Sequence, residues 1–394
     1  MFKQVLLLLL STALTVSAVT ISAPLAEWGL RLHFQEFEAK FSKTYETPAL
    51  REERFLIFVK NLEEVVRKNE ALAQKGLDQI HGLTKFSDWT ADEFADMVSG
   101  VKREPRRLEK KLGGKPLVVE NATVAVPTVK VTPLKFDWRD QGVITPVKDQ
   151  GRCGSCWAHS AAESIESQFA LHGGQLTSLS VQQIVSCDTK SNDNGCDGGM
   201  YNTAWLEYAT KGLTTEEEYP YDFKTSHGHP TKCDTEKIDV VEGTEVTSYN
   251  WATAPCETFF CRAQDEDTLV KNLVSYGPLS IAVDASQWSS YTGGILSVDS
   301  CATSSAMKLD HAVQLVGYDF SVPGQEYFIV KNSWNTDWGY DGYVHLKAGA
   351  NTCGFADMPA FVTIDQQGSA EAKIDNYKGF QGDLALAAAL SEQE

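Results

Sequence analysis

The sequence predicts an α+β protein that follows a mainly helical N-terminal region. Three patterns predict it: apolar residues at three- and four-residue steps early in the chain, a helical stretch near residue 160, and alternating β-rich segments later. The 394 residues are 42% hydrophobic and 22% charged, which excludes collagen-like, low-complexity and wholly disordered proteins. The net charge of −18 argues against nucleic acid or an anionic membrane as partner.

The N-terminus has the pattern of a secretory leader. Lys3 precedes an apolar run from Val5 to Leu10, and Val16-Ser17-Ala18 offers a small-residue cleavage site. We therefore expect residues 1–18 to be a signal peptide. A transmembrane anchor is the alternative, but polar residues interrupt the run before the roughly 20 apolar residues that a span needs. We expect no membrane insertion after the leader is removed.

Residues 19–131 form a region without cysteine. Its apolar residues recur at helical spacing in two groups, Phe34, Phe37 and Phe41, then Phe55, Phe58, Leu62, Val65 and Val66. This predicts two helices that are broken near Thr47-Pro48. From Val98 to Val131 the periodicity disappears and Lys, Arg, Pro and Gly dominate, which indicates a linker. Asn121-Ala122-Thr123 lies in it and is a candidate glycosylation site, although the sequon can also stay unmodified.

Residues 132–364 contain all nine cysteines and most of the acidic excess. In an oxidising lumen thiols pair, so an odd number leaves one cysteine without an intramolecular partner. A helix is expected from about Cys156 to Leu171, before Gly173-Gly174. The expected strands are Leu279–Val283, His311–Gly317, Tyr327–Lys331 and Gly342–Lys347. Residues 365–394 are expected to be a disordered or trimmed tail, with a partner-binding helix as the alternative.

The segment from Gln150 to Trp157 carries a Cys-Gly-Ser-Cys pair. A thioredoxin-like redox pair and half of a zinc site are the alternatives, but no βαβ pattern precedes it and no second Cys pair follows at zinc spacing. Cys156 begins a predicted helix, where unpaired amides and the helix dipole favour a thiolate. Cys156 is therefore a candidate nucleophile.

A thiolate nucleophile needs a base and a group that orients the base. His311 begins an apolar strand, where burial and a neighbour can fix its tautomer. Asn332 follows another strand, and its amide oxygen can accept from the imidazole while Trp334 shields that bond from water. A Cys-His-Asn triad results.

Three ordered motifs resemble the papain family of cysteine proteases: Gln-Gly-x-Cys-Gly-Ser-Cys-Trp, then Leu-Asp-His-Ala-Val, then Lys-Asn-Ser-Trp. The resemblance covers about residues 132–364. It implies a two-domain fold with a helical left domain and a β-barrel-like right domain. The region before it resembles the inhibitory propeptide of the cathepsin L branch, through Arg54, Phe58, Asn61, Val65 and Asn69 and through Gly82-x-Thr84-x-Phe86-x-Asp88. Leu50, Val65 and Thr84 depart from the residues usual in these signatures.

The resemblance implies that Cys156 is the nucleophile, that His311 is the general base and then acid, and that Asn332 orients it. Gln150 would complete the oxyanion hole with the Cys156 N–H. Gly198 and Gly199 would pair with an extended peptide through main-chain hydrogen bonds, with a plain turn as the alternative. The other expected substrate-binding residues are Met200, Tyr201, Ala282, Leu309, Asp310, Trp334 and Met358. Most of the pocket residues are apolar, so we expect a hydrophobic or aromatic second residue before the scissile bond.

Sequence alone leaves 105 ways to pair the eight cysteines other than Cys156. The resemblance suggests Cys153 with Cys196, Cys187 with Cys233, and Cys301 with Cys353. A local bridge is then the simplest outcome for Cys256 and Cys261, with a metal pair as the alternative. We expect no cofactor and no metal.

Two departures from the family bear on function. His159 stands where an aromatic residue is usual, and we expect a semi-buried structural histidine rather than a second base. Residues 226–232 and 250–264 look like insertions. Either could block the cleft and produce an exopeptidase, but the loop at 226–232 is far shorter than the blocking loop of the cathepsin B branch, and a solvated loop is the alternative there.

The sequence therefore predicts a cysteine endopeptidase that is made as an inactive zymogen. The alternatives are an exopeptidase of the same family and a catalytically silent homologue that binds peptides. Expected partners are protein and peptide substrates, the chain's own propeptide as inhibitor, and cystatin-type inhibitors, with no nucleic acid and a monomeric state. The expected location is the secretory pathway, ending in a lysosome or vacuole or outside the cell.

Overall fold

The computed structural model describes residues 23–102, 132–188, 193–222, 232–256, 261, 264–301 and 308–364. The chain divides into two compact units. The first contains residues up to 94 together with 288–294 and 337–341, and the second contains the rest. The expected signal peptide, the sequon at Asn121, the loop 226–231 and the expected tail 365–394 lie outside the described residues.

Two long helices form the core of the first unit, α1 (Ala23–Lys40) and α2 (Pro48–Gln74). Thr47 caps α2 by accepting from the Leu50 N–H, and Pro48 occupies the first turn, where its missing N–H costs nothing. The break expected at Thr47-Pro48 is therefore present. The two helices share a core of Leu30, Phe34, Phe37, Phe55, Phe58, Val59 and Leu62.

Polar residues of α2 hold the segment that follows it. Arg54 forms two hydrogen bonds with Glu93, at 2.6 and 2.7 Å. Asn61 donates to the carbonyls of Ser87 and Trp89. These side chains lie on the same helix as the core residues. Helix α2 therefore supplies both apolar residues for the core and polar residues that bind the segment after the helix.

The second unit contains the last turn of α3 (Ala91–Val98), four further α-helical segments and an eight-stranded sheet. The helices are α3 (Ala91–Val98), α4 (Cys156–Leu171), α5 (Val181–Cys187), the short α6 (Tyr201–Thr203) and α7 (Glu266–Tyr276). The strands are β1 (Lys135–Asp137), β2 (Val246–Trp251), β3 (Leu279–Val283), β4 (Ile295–Leu296), β5 (His311–Asp319), β6 (Tyr327–Lys331), β7 (Tyr343–Lys347) and β8 (Ala360–Ile364).

The sheet runs in the order β2-β8-β3-β5-β6-β7-β4, with β1 added to β5. All pairs are antiparallel except β4 with β7. Helix α4 packs on this sheet: Ser160 Oγ donates to the Val313 carbonyl, and Ser280 Oγ donates to the Ser160 carbonyl, each at 3.0 Å. The expected α+β class is confirmed.

The structure differs from the sequence expectations in two places. Strands β1, β2, β4 and β8 were not expected, and β5 runs two residues beyond Gly317. Residues 98–102, which composition assigned to the linker, instead make specific backbone bonds within the second unit. Among the described residues, no helix combines the length and apolar character that a membrane span requires.

Candidate active site

Cys156 is the first residue of α4 and is fully buried. It is the one free cysteine among the described residues. Burial raises the pKa of its thiol to about 12, although backbone hydrogen bonds from Ala312, Trp157 and Cys156 act in the opposite direction. The thiolate that we expected at this helix N-terminus is therefore disfavoured in this state, because burial outweighs the helix dipole.

His311 begins β5 and Asn332 follows β6, and the antiparallel pairing of these strands places the two residues together. His311 Nε2 lies 2.8 Å from Asn332 Oδ1. A carbonyl oxygen only accepts, so Nε2 carries the proton and Nδ1 is the basic nitrogen. The Trp334 ring covers the imidazole with a centroid distance of 4.8 Å. Burial lowers the pKa of His311 to about 4.

Gln150 has both ends of its side-chain amide fixed. Its Oε1 accepts from Ser333 Oγ at 2.7 Å and from Trp334 Nε1 at 3.0 Å. Its Nε2 therefore faces the opposite way, donating to the carbonyls of Cys153 at 2.9 Å and Met97 at 3.3 Å. In this state the amide orientation is therefore fixed by acceptors and donors at both ends.

Residues 97–102 cover this site. The Gly199 N–H donates to the Gly100 carbonyl at 3.0 Å, and the Lys102 N–H donates to the Gly199 carbonyl at 2.9 Å. The Val101 N–H donates to the Asp310 carbonyl at 3.1 Å. Gly100 lies so close to the nucleophile that an added Cβ would be 2.5 Å from Cys156 Sγ. The segment thus occupies both main-chain groups of Gly199 and shields the thiol.

The expected pocket residues lie in one buried cluster with Cys156. Met200, Tyr201, Ala282 and Leu309 belong to its core, and Met358 and the covering Val101 pack against it. The Tyr201 hydroxyl donates to the Met358 carbonyl. Gly198 adopts φ +103°, and an added Cβ would meet the Gly100 backbone. Asp310 is partly buried, and burial together with the neighbouring Asp284 raises its pKa well above the ordinary value.

Four disulfides join the eight remaining cysteines: Cys153–Cys196, Cys187–Cys233, Cys256–Cys261 and Cys301–Cys353. Among the described residues, Cys256, Cys261 and Asp357 are the one group close enough together to hold a metal ion. Both thiols are used by their mutual disulfide.

His159 is fully buried rather than semi-buried. Its Nδ1 lies 3.1 Å from the Ser155 carbonyl, and burial lowers its pKa to about 3. A histidine that stays neutral and bonds to its own helix fits the structural role expected from the sequence.

Sequence reasoning missed two groups that hold Gln150. Ser333 fixes its side-chain oxygen. Tyr221 donates to its main-chain carbonyl at 2.9 Å. Ser333 lies in a recognised motif directly after Asn332, and this position could have identified it from the sequence. Tyr221 lies 71 residues from Gln150, and no comparable sequence pattern identifies it.

The fold and this Cys-His-Asn arrangement define the class of protein, a cysteine protease with a covered active site. A family model described as papain family cysteine protease matches residues 132–363, and one described as cathepsin propeptide inhibitor domain (I29) matches residues 34–94. The chain belongs to the papain family of cysteine proteases, and it is a zymogen in which the propeptide acts as an intramolecular inhibitor.

Curated relatives extend over most of the chain. A probable cysteine protease of Arabidopsis thaliana, RD19C, is 38% identical over 84% of this chain and 84% of its own length. A cathepsin L of Sarcophaga peregrina is 32% identical over 92% of this chain and all of its own length. A solved structure, digestive procathepsin L 3 of the Tenebrio molitor larval midgut, matches with a TM-score of 0.67 and 29% identity, over 85% of this chain and 99% of its own.

Proposed function

We propose that the protein is a cysteine endopeptidase in which Cys156, His311 and Asn332 form the triad and Gln150 completes the oxyanion hole. The 2.8 Å contact between His311 Nε2 and Asn332 Oδ1 carries this proposal. It fixes the tautomer in which Nδ1 is the basic nitrogen, and this nitrogen would exchange a proton with the thiol.

In the acylation step, the Cys156 thiolate attacks the scissile carbonyl carbon, and the carbonyl π electrons move to oxygen. The oxyanion receives hydrogen bonds from Gln150 Nε2 and the Cys156 N–H. When the tetrahedral intermediate collapses, the C–N bond breaks and the His311 imidazolium gives its Nδ1 proton to the leaving amine. The products are a free amine and a thioester on Cys156.

In the deacylation step, His311 Nδ1 takes a proton from water as the water oxygen attacks the thioester carbon. The second oxyanion uses the same two donors. Collapse breaks the C–S bond, releases the carboxylic acid and restores the thiolate–imidazolium pair. Asn332 supports both steps because its oxygen stabilises the imidazolium through Nε2–H.

The covering segment supports the proposed substrate contacts. It forms hydrogen bonds with both main-chain groups of Gly199, and its Met97 carbonyl accepts a hydrogen bond from Gln150 Nε2. We propose that a substrate uses the same groups once the segment leaves. The apolar cluster that packs against Val101 favours a hydrophobic or aromatic second residue before the scissile bond.

We further propose the following organisation: residues 1–18 are a signal peptide, residues 19–131 are the propeptide and linker, residues 132–364 are the protease domain, and residues 365–394 are a tail. Entry into the secretory pathway, with a lysosome, vacuole or the extracellular space as destination, agrees with four disulfides. A monomer and inhibition by cystatin-type proteins are part of the same proposal.

The main alternative is an exopeptidase in which an insertion blocks the cleft. The described part of the 250–264 insertion is bonded to the main chain on both sides of Met358: the Ala252 N–H donates to the Pro359 carbonyl at 2.7 Å, and the Cys256 N–H donates to the Asp357 carbonyl at 2.8 Å. The test below separates this alternative from the endopeptidase. A catalytically silent homologue is disfavoured by the intact set of Cys156, His311, Asn332 and Gln150.

The test is acid maturation of the purified precursor, followed by hydrolysis of an end-blocked peptide with a hydrophobic second residue. Cleavage by the wild type and none by Cys156→Ala is the expected result. Cleavage only of peptides with a free terminus would instead support the exopeptidase. Maturation without any cleavage would support the silent homologue.

A further inference from the structure

Four buried charges lie behind the active site and take no part in the mechanism above. They are Lys148, Glu163, Glu166 and Lys331, and with the Thr145 hydroxyl we call them the ion cluster. The side chains of Glu163, Glu166 and Lys331 are at most 2% exposed, and that of Lys148 is 13% exposed. Burying so many charges is costly unless they are paired.

The charges are paired in a closed arrangement. Lys331 Nζ lies 2.9 Å from Glu163 Oε1, and Lys148 Nζ lies 2.6 Å from Glu166 Oε1 and 4.0 Å from Glu163 Oε1. Thr145 joins the two pairs, because its hydroxyl accepts from Lys331 at 3.1 Å and donates to Glu166 at 2.5 Å. The cluster has two positive and two negative charges and is neutral as a whole.

The four charged members lie on three parts of the proposed catalytic machinery. Glu163 and Glu166 lie on α4, two and three turns after Cys156. Lys331 ends β6 and immediately precedes Asn332. Lys148 lies two residues before Gln150.

The residues between the cluster and the site are themselves bonded to one another. The Gln150 N–H donates to the Ser333 carbonyl at 2.8 Å, and the Asn335 N–H donates to the Lys148 carbonyl at 2.9 Å. The Gln150 loop and the segment after Asn332 are therefore bonded to each other. Within the part of the chain that the structure describes, the ion cluster connects this pair, through charged side chains, to the helix of the nucleophile.

We propose that the ion cluster positions the catalytic residues, holding Asn332 and Gln150 in register with Cys156. Its members are positioning residues, since none contacts the thiol or the imidazole. The inference rests on the triad proposed above. It predicts a loss of transition-state stabilisation rather than of substrate binding, because no cluster residue contacts the main-chain groups of Gly199 or the apolar pocket.

The test uses mature enzyme obtained from the full precursor, with Glu163→Gln and Glu166→Gln as isosteric variants that each remove one charge. Glu326→Gln is the matched control, because Glu326 pairs with Lys347 at 2.9 Å on the surface. Rates are expressed per Cys156 thiol titrated with a peptide-linked alkylating reagent, which reacts through the folded substrate cleft, so that misfolded enzyme is not counted. We expect kcat to fall at least fivefold in both cluster variants, with KM within twofold and the control unchanged.

A pH profile separates positioning from simple destabilisation. The alkaline limb of kcat/KM reports the loss of the His311 imidazolium, which Asn332 stabilises. A displaced Asn332 should move the midpoint of that limb at least half a pH unit lower. Three other titratable groups, Glu216, His159 and Tyr343, interact with the cluster charges and shift when one charge is removed. The same limb is therefore also measured in the Lys331→Met with Glu163→Met variant, which keeps the net charge of the cluster at zero.

If the single variants fail to fold, the test uses the double variant Lys331→Met with Glu163→Met. This variant removes one ion pair without leaving a lone charge. We expect this double variant to keep the reduced kcat. Wild-type kcat per titrated thiol in the Gln variants, or in the Met pair, would overturn the proposal. A wild-type enzyme that takes up no titrant, or a Cys156→Ala variant that still cleaves, would instead refute the triad itself.

Discussion

Gly100 determines how closely the propeptide can cover the nucleophile. We predict that Gly100→Ala opens the zymogen. A Cβ at this position would lie 2.5 Å from Cys156 Sγ, 2.7 Å from the Gly154 carbonyl oxygen and 3.0 Å from the Gly154 carbonyl carbon. Two of these atoms belong to the main chain just before α4, so a side-chain rotation cannot relieve the clash.

The expected magnitude follows from the cost of overpacking a tight site, about 1–3 kcal/mol. Each 1.4 kcal/mol changes an equilibrium constant tenfold, so the equilibrium constant for closure of the precursor should fall by roughly 5- to 150-fold. If alkylation requires the open state, its rate should rise by the same factor.

The assay is alkylation of Cys156 by iodoacetamide in the intact precursor at pH 7. Ser99→Ala is the matched control, since Ser99 is the exposed neighbour of Gly100 and loses only a hydroxyl. We expect fast alkylation in Gly100→Ala and wild-type rates in the control. Equal rates in all three proteins would refute the view that close backbone approach at Gly100 keeps the site covered.

Three further predictions concern the acid–base chemistry and the oxyanion hole. Gln150→Ala should lower kcat by about 100- to 1,000-fold with little change in KM, measured with an end-blocked peptide, because an oxyanion donor acts in the transition state. Burial raises the pKa of Cys156 to about 12 in the precursor, so alkylation of this thiol at pH 7 should accelerate by orders of magnitude on maturation. Equal alkylation rates in the precursor and the mature enzyme would contradict this. Burial also lowers the pKa of His81 to about 4, from about 6.5 when the side chain is exposed. Between these two pH values the unfolded state binds more protons than the folded state. The free energy of unfolding of the first unit should therefore fall by up to about 3 kcal/mol as the pH drops from 6.5 to 4. Thermal unfolding of the Cys156→Ala precursor at pH 7 and 4.5 should show this loss, and His81→Asn should remove it.

The helices and central strands were predictable because their patterns are local. Helix α4 has the expected bounds, and so do β3 and β6. In contrast, β1 has three residues and β4 has two, too few for any alternation to be visible. Both exist only because a partner strand supplies hydrogen bonds.

The contact between His311 and Asn332 was predictable because each residue lies in a distinct motif and the strand register brings the two together. Gln314 pairs with Lys331, so the ends of β5 and β6 bring His311 and Asn332 to one place. The protonation state was not predictable. It depends on Gly100, which lies 56 residues before Cys156 and was assigned to a linker.

The covering segment links inhibition to chemistry through two separate effects. It occupies the main-chain groups of Gly199, which we propose as substrate contacts, so it competes for binding. It also lies against the Cys156 thiol, whose pKa burial raises, while burial lowers the pKa of the His311 imidazole, so both groups are neutral in this state. Departure of the segment would hydrate the site and let the proton move from Cys156 to His311. Acid destabilises the first unit through His81, whose pKa burial lowers. On this account the zymogen needs no chemical change in the triad: removing the cover both admits the substrate and generates the nucleophile.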